Sequence, residues 1–375
     1  MDITTISGIV SCYIFSHSGK MYYLFGDKHY TRRGNCKELG YQCDYFNNTF
    51  TKTYTYGTQC TNIGPLLHNW FTYNNDHSIA TDFYIELSYT KENERVTHKY
   101  YNDIIENRKT PFYYEEIAPF QDKSWLQLTH YIMKPCFIRE KTQCPYYPNV
   151  HVHYTDVRIL EQEGEIFVNP FDITDFHHME YVKLLILHYK IILGYLLDID
   201  GYNRFLDKIH LIPEEIKDDL VHNISLFTVT REINGNNITM YKTAWELHRL
   251  EQSYPMIAEK LRVYIQTEAE QIIQKVYNTL KTQKMNYDLY NDLLLDMQSL
   301  SMDVYTLSRV FIQNQSDEII IYAGAYHIQF YVPFLQQCGF DLLTSVPYKK
   351  GQNCITMDNL PLYLDGNKYR QYNSS

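Results

Sequence analysis

Apolar residues fall in short β-branched and aromatic runs over the first third of the chain. They take a helical spacing through the middle and return to a strand-like run near the end. Residues 9–15 and 21–25 are such runs, and Ser18-Gly19-Lys20 between them predicts a hairpin with a tight turn. Residues 34–62 are rich in Asn, Thr, Gly and Cys without periodicity and read as a long loop. A short helix is expected over 65–74, then a strand over 82–89, DFYIELSY, with Glu86 near its C-terminal end. A further helix is expected near 124–133. The run 150–160, VHVHYTDVRIL, alternates with period two. That alternation sets His151, His153 and Thr155 on one face and Val152, Tyr154, Asp156 and Arg158 on the other.

From about Thr174 the pattern is helical, with helices expected over 179–197, 245–282 and 287–312. In the second of these, Ile257, Leu261, Ile265, Ile272, Val276 and Leu280 recur mostly at three- or four-residue spacing. Pro255 should kink or open it. The run 318–323, EIIIYA, is of the kind buried in a parallel sheet. Gly324 ends it, a helix is expected over 330–338 with Gly339 as its left-handed cap, and 341–346 reads as a last strand.

These elements predict an α/β fold: a central, mostly parallel sheet with flanking helices. Residues 1–165 supply its first half, 170–315 form a helical section, 316–365 return a strand and helix to the sheet, and 366–375 are a loose tail. The unit is discontinuous, not two independent domains.

Two Gly-x-x-His elements, Gly26-Asp27-Lys28-His29 and Gly324-Ala325-Tyr326-His327, each follow a strand-like run. In open α/β sheets ligands bind beyond the carboxyl ends of the strands. His29, Asp27, Glu86 and His327 all fall at or beyond such ends. Glycine before each histidine would let the backbone turn and a ligand approach. Asp156 and Arg158 add a carboxylate and a guanidinium. Two histidines with carboxylates suit a divalent metal (Mn, Fe, Co or Zn), with His29, Glu86 and His327 as its ligands. The same groups suit metal-free general-base chemistry on water, with Arg158 clamping an anionic group.

The runs YYLFGDKHYTRRGNC, DFYIEL, YTDVRI and IIIYAGAYHIQFYVPFLQQCGF resemble the successive motifs of the erythromycin-esterase, ChaN and Tiki/TraB superfamily. The resemblance implies correspondence of Gly26 to His29, of Glu86, and of Gly324 to His327 with the family's motifs. Asp27 stands where the first motif normally carries Glu. Ester hydrolysis, metal-dependent peptide cleavage and haem or iron handling are the activities it implies. The expected function is therefore a hydrolase acting on an ester or a peptide-like substrate. The alternative is an inactive binding or structural protein that keeps the fold.

Composition narrows the partners. A formal net charge of −10 argues against a general nucleic-acid binder, which needs a basic face. The densest basic stretch, Lys28, Arg32, Arg33 and Lys37, is a solvated loop or the entrance for an anionic substrate. Thirty-seven tyrosines among 375 residues favour protein contacts through Tyr-rich surfaces, although AT-rich coding explains the same excess. The Tyr/Asn/Ile-rich composition resembles proteins of large AT-rich DNA viruses, which implies host cytoplasm or virion. No basic residue precedes the N-terminal apolar stretch, so no signal peptide is expected. Lys183, His188 and Lys190 interrupt the most apolar segment, which argues against a membrane span. Eight cysteines include no C-x-x-C pair, so reduced thiols are the default. Nucleotide-binding glycine motifs and a G-x-S-x-G elbow are lacking.

Overall fold

The computed structural model describes residues 3–28, 35–36, 41–42, 59–88, 126, 129, 133, 136, 144, 146–157, 197–211, 221, 225, 228–282, 287–312, 316–349, 352 and 354–358. The chain divides into two compact units, Met1–Thr155 with Gln315–Ser375, and Asp156–Asn314.

The first unit opens with β1 (Ile3–Ser7), β2 (Ser11–His17) and β3 (Lys20–Asp27). Gly8 at φ 93° separates β1 from β2, and the two join different sheets. Ser18 and Gly19 both take positive φ, 50° and 77°. That turn matches the twist of an antiparallel pair, and β2 and β3 are so paired, Ser11 to Gly26 through His17 to Lys20. Within the expected long loop, β4 (Asn35–Cys36) and β5 (Tyr41–Gln42) form a small antiparallel pair, and β6 (Gln59–Asn62) runs parallel to β1. Then come α1 (Ile63–Asp76), β7 (Thr81–Ser88) and β8 (Val150–Asp156). Of the helix expected near 124–133, Leu126, Thr129 and Met133 are described; all three are helical and buried.

The second unit contains α2 (Gly201–Lys208), the hairpin β9 (Thr228–Ile233) and β10 (Asn236–Tyr241), and helices α3 (Lys242–Ser253), α4 (Pro255–Thr282) and α5 (Tyr287–Ile312). Pro255 opens α4 at the position where its missing N–H costs nothing. Ala258, Leu261, Ile265, Ala269 and Ile272 make the buried stripe of α4. This hairpin interrupts the section expected to be helical. Its signal was Asn234-Gly235, which turn at φ 52° and 81°. The helix expected over 179–197 lies outside the described residues apart from Leu197.

The chain then returns through β11 (Glu318–Gly324), α6 (Ala325–Gln337), β12 (Asp341–Val346) and β13 (Cys354–Asp358). The principal sheet is mixed and mostly parallel, with strand order β12-β2-β3-β11-β7-β8. β11 is buried along its whole length between β3 and β7, parallel to both. The Thr81 amide donates to the Asn149 carbonyl at one end of β7 and β8, and Thr155 Oγ1 to the Ile85 carbonyl at the other, so these strands share a direction. β12 pairs antiparallel with β2, with a bulge between Leu342 and Thr344. A second sheet has the order β13-β1-β6.

Alternation divides the side chains of the principal sheet between two faces. Tyr23 and Phe25 meet Trp70 of α1 edge-on at 4.6 and 6.1 Å, and Phe71 meets Phe83 at 5.1 Å. Ile320, Tyr322 and Ile85 share this α1 face. Leu24, Gly26, Tyr84 and Glu86 take the opposite face, the one on which α6 packs over β3.

A disulfide joins Cys136 and Cys144, and Cys354 is also disulfide-bonded, while Cys12 and Cys338 are not in disulfides. The reduced-thiol default is thus corrected for three cysteines. Folding back of the chain brings the Cys136 and Cys144 Cα atoms to 4.2 Å, which sequence spacing does not reveal. No described helix is long and apolar enough to cross a membrane.

Candidate functional site

The site is built where three parallel strands end. Register pairs Ala323 and Gly324 of β11 with Gly26 and Asp27 of β3, and Tyr322 with Ile85, one residue before Glu86 on β7. The helix expected from residue 330 begins instead at Ala325, directly after the strand. His327 is therefore the third residue of α6, not part of a loop.

This early start creates the geometry. Gly324 is the N-cap of α6 and has no side chain with which to cap the helix. Its N–H donates to Glu86 Oε2 at 2.6 Å. The Glu86 carboxylate thus sits on the positive end of the helix, where first-turn amides lack intrahelical acceptors. Its other oxygen, Oε1, faces His327 Nε2 at 3.6 Å. One carboxylate is shared between a helix terminus and an imidazole, with both side chains almost wholly buried, 3% and 4% exposed.

Gly26 has a packing role here. Neither Gly26 nor Gly324 takes positive φ, so the sharp turn expected at these glycines is not their function. A Cβ on Gly26 would stand 2.9 Å from the Ala325 Cα and collide with Ser11 Oγ. The glycine lets the first turn of α6 rest on β3, and so sets where His327 stands. Gly26→Ala is expected to cost about 1–3 kcal/mol as α6 backbone is forced outward. Urea unfolding should show Ser11→Gly restoring only part of that loss, because the Ala325 backbone remains in the way. Full recovery in the double variant would mean the hydroxyl alone sets the fit.

Asp27 is buried, 2% exposed, and closes β3. Alternation directs it to the α1 face, beside Tyr322, and away from the face where Glu86 and His327 meet. Burial first, and then the Asp27 charge, push the Tyr322 hydroxyl well above its usual range. That hydroxyl donates to the Gly8 carbonyl at 3.2 Å. Asp156 closes β8 and is buried; after burial itself, its charge raises the Tyr241 hydroxyl. His29 and Arg158 lie outside the described residues, as does Arg32 and Arg33 of the basic stretch. The structure therefore brings together Glu86 and His327. Among the described residues no group of three or more His, Cys, Asp or Glu is arranged to hold a metal ion.

Two further groups, one in this pair's setting and one elsewhere on the sheet, are not predicted by sequence pattern. The Gly324 amide was invisible because its role depends on where α6 starts. The other is Asp82, on the same strand and face as Glu86, on which His151 and His153 converge at the opposite end of the sheet. Period two on DFYIEL and VHVH was the available signal.

No protein-family model, curated protein or solved structure matches this chain.

Proposed function

We propose that the chain is a hydrolase in which Glu86 and His327 act as a carboxylate–imidazole pair on an ester or peptide-like substrate. The observation that supports this is the shared Glu86 carboxylate, held at 2.6 Å by the Gly324 amide and facing His327 Nε2 at 3.6 Å. With Nε2 turned to the carboxylate, Nδ1 is the nitrogen that would take a proton from water as the oxygen attacks the carbonyl carbon. Glu86 stabilises the imidazolium so formed, and the proton then passes to the leaving oxygen or nitrogen. The amide at the helix terminus holds the Glu86 carboxylate in place. His29 would be the further histidine of this set. Where a divalent metal takes part, Glu86 and His327 would hold it together with His29, and it would supply Lewis acidity and an activated water.

A second reading, an inactive binding or structural protein, is favoured by the burial of Glu86 and His327. The two are separated by turnover of an ester and peptide panel by wild type and Glu86→Gln, each assayed with chelator and with added Mn, Fe, Co or Zn. Activity that falls in Glu86→Gln supports the hydrolase. Turnover unaffected by the substitution removes it, and a wild type inert under every condition leaves the binding protein.

A further inference from the structure

Asp82, near the start of β7, lies four residues before Glu86 on the same face. His153 Nε2 of β8 donates to Asp82 Oδ1 at 2.8 Å, and His151 Nδ1 faces the same oxygen at 3.5 Å. The carboxylate is 4% exposed, His153 11% and His151 36%, so the cluster is sealed on one side and open to water on the other. The His153 ring stacks on Tyr84 at 4.6 Å. Among the described residues, Lys20 of β3 also feels the Asp82 charge, and Asp317, just before β11, acts in turn on Lys20. β8 is the last strand in the described sheet order, and at Asp156 the chain passes from it into the second unit. Its hold on β7 includes the Thr155 bond to the Ile85 carbonyl, next to Glu86.

We propose that Asp82, His151 and His153 form an acid-dependent latch that holds β8 on the sheet, tight while His151 carries a proton and loosened when it is neutral. The charges that face the cluster fit this. Burial works to raise the Asp82 carboxyl, but hydrogen bonds from His151 and His153 outweigh it and hold the group well below the usual carboxylate range. The bond to Asp82 raises His151 above its ordinary value, against burial, which lowers it. A raised histidine contributes its stability in full below its unfolded value of about 6.5 and loses it as pH rises through the folded value. A depressed carboxylate contributes above its unfolded value of about 4 and loses it as pH falls. The latch is therefore tightest between about pH 4 and 6.5.

The test is hydrogen exchange on the full chain at pH 6 and pH 8, corrected for the intrinsic effect of pH, read on peptides spanning 149–156. Wild type is expected to lose about threefold protection at pH 8, the size of a partly exposed ion pair. His151→Gln should flatten that change. Since His151 is open to water, the variant keeps the fold, and exchange in the β2–β3 hairpin should match wild type at both pH values. A His151→Gln, His153→Gln double variant guards against His153 substituting for its neighbour. Equal wild-type protection at both pH values overturns the latch, as does a pH response that survives in the double variant. Because exchange is the readout, this result is independent of whether the chain is a hydrolase.

Discussion

His327→Ala is expected to lower kcat/KM by about 10²–10⁴-fold on any ester or peptide substrate that wild type turns over, the range for loss of a positioned general base. The loss should fall on kcat, with KM nearly unchanged, because under the proposed role the imidazole would act on the proton of the attacking water and not on bound substrate. Glu86→Gln should be milder. Its amide oxygen can still accept from the Gly324 N–H, so α6 stays in place, while the charge that stabilises the imidazolium is gone. A residue that merely packs would behave differently: His327→Ala would then alter stability and leave kcat within a few-fold of wild type once folded protein is counted. Steady-state kinetics on both variants, with thermal unfolding run in parallel, separates these outcomes. His327→Ala at wild-type kcat would sink the general-base role.

Local patterns made much of the fold legible. Ser18-Gly19 needs only its own turn chemistry to close β2 onto β3, and α5 was readable to its ends as Tyr287–Ile312. Pro255 marked the break between α3 and α4 because proline has one comfortable place in a helix. What stayed hidden depended on contacts distant in sequence. β1, β6 and β13 are each too short to announce themselves, and they exist because they pair with one another. The Asn234-Gly235 hairpin was absorbed into a helical section because the flanking periodicity is strong.

The site divides in the same way. Strand-end placement of Glu86 and of the second Gly-x-x-His followed from apolar runs that stop at a polar residue. Strand polarity, however, does not say which face a last residue takes. Asp27 closes β3 and Glu86 lies near the end of β7, yet register puts Asp27 with Tyr322 on the α1 face and Glu86 with His327 on the other. Nor could the motif spacing show that its glycine serves helix packing, since that depends on Ala325 lying against β3.

The same non-local logic gives the largest effect expected on stability, at Glu318. This carboxylate is completely buried at the start of β11, on the α1 face. Its Oε2 accepts from Trp70 Nε1 at 2.9 Å and from Asn74 Nδ2 at 2.6 Å, and Asn74 Nδ2 also reaches Thr81 Oγ1 at 2.8 Å. One side chain thus ties α1 to both β11 and β7. Glu318→Ala removes the acceptor of two buried donors and leaves a void beside Trp70, at a cost of about 3–5 kcal/mol. Glu318→Gln keeps the volume and one acceptor oxygen, so about 1–2 kcal/mol is expected there. Replacing the donor side instead, Trp70→Phe keeps most of the ring and removes one N–H; it should cost less than Glu318→Ala, and the two losses should not add, because both delete the same bond. Urea unfolding followed by backbone circular dichroism measures wild type, the three single variants and the Glu318→Ala, Trp70→Phe double variant. A Glu318→Ala loss below about 1 kcal/mol, within the range of ordinary surface changes, would show that α1 is held by its aromatic packing on Tyr23 and Phe25 and that the carboxylate is incidental.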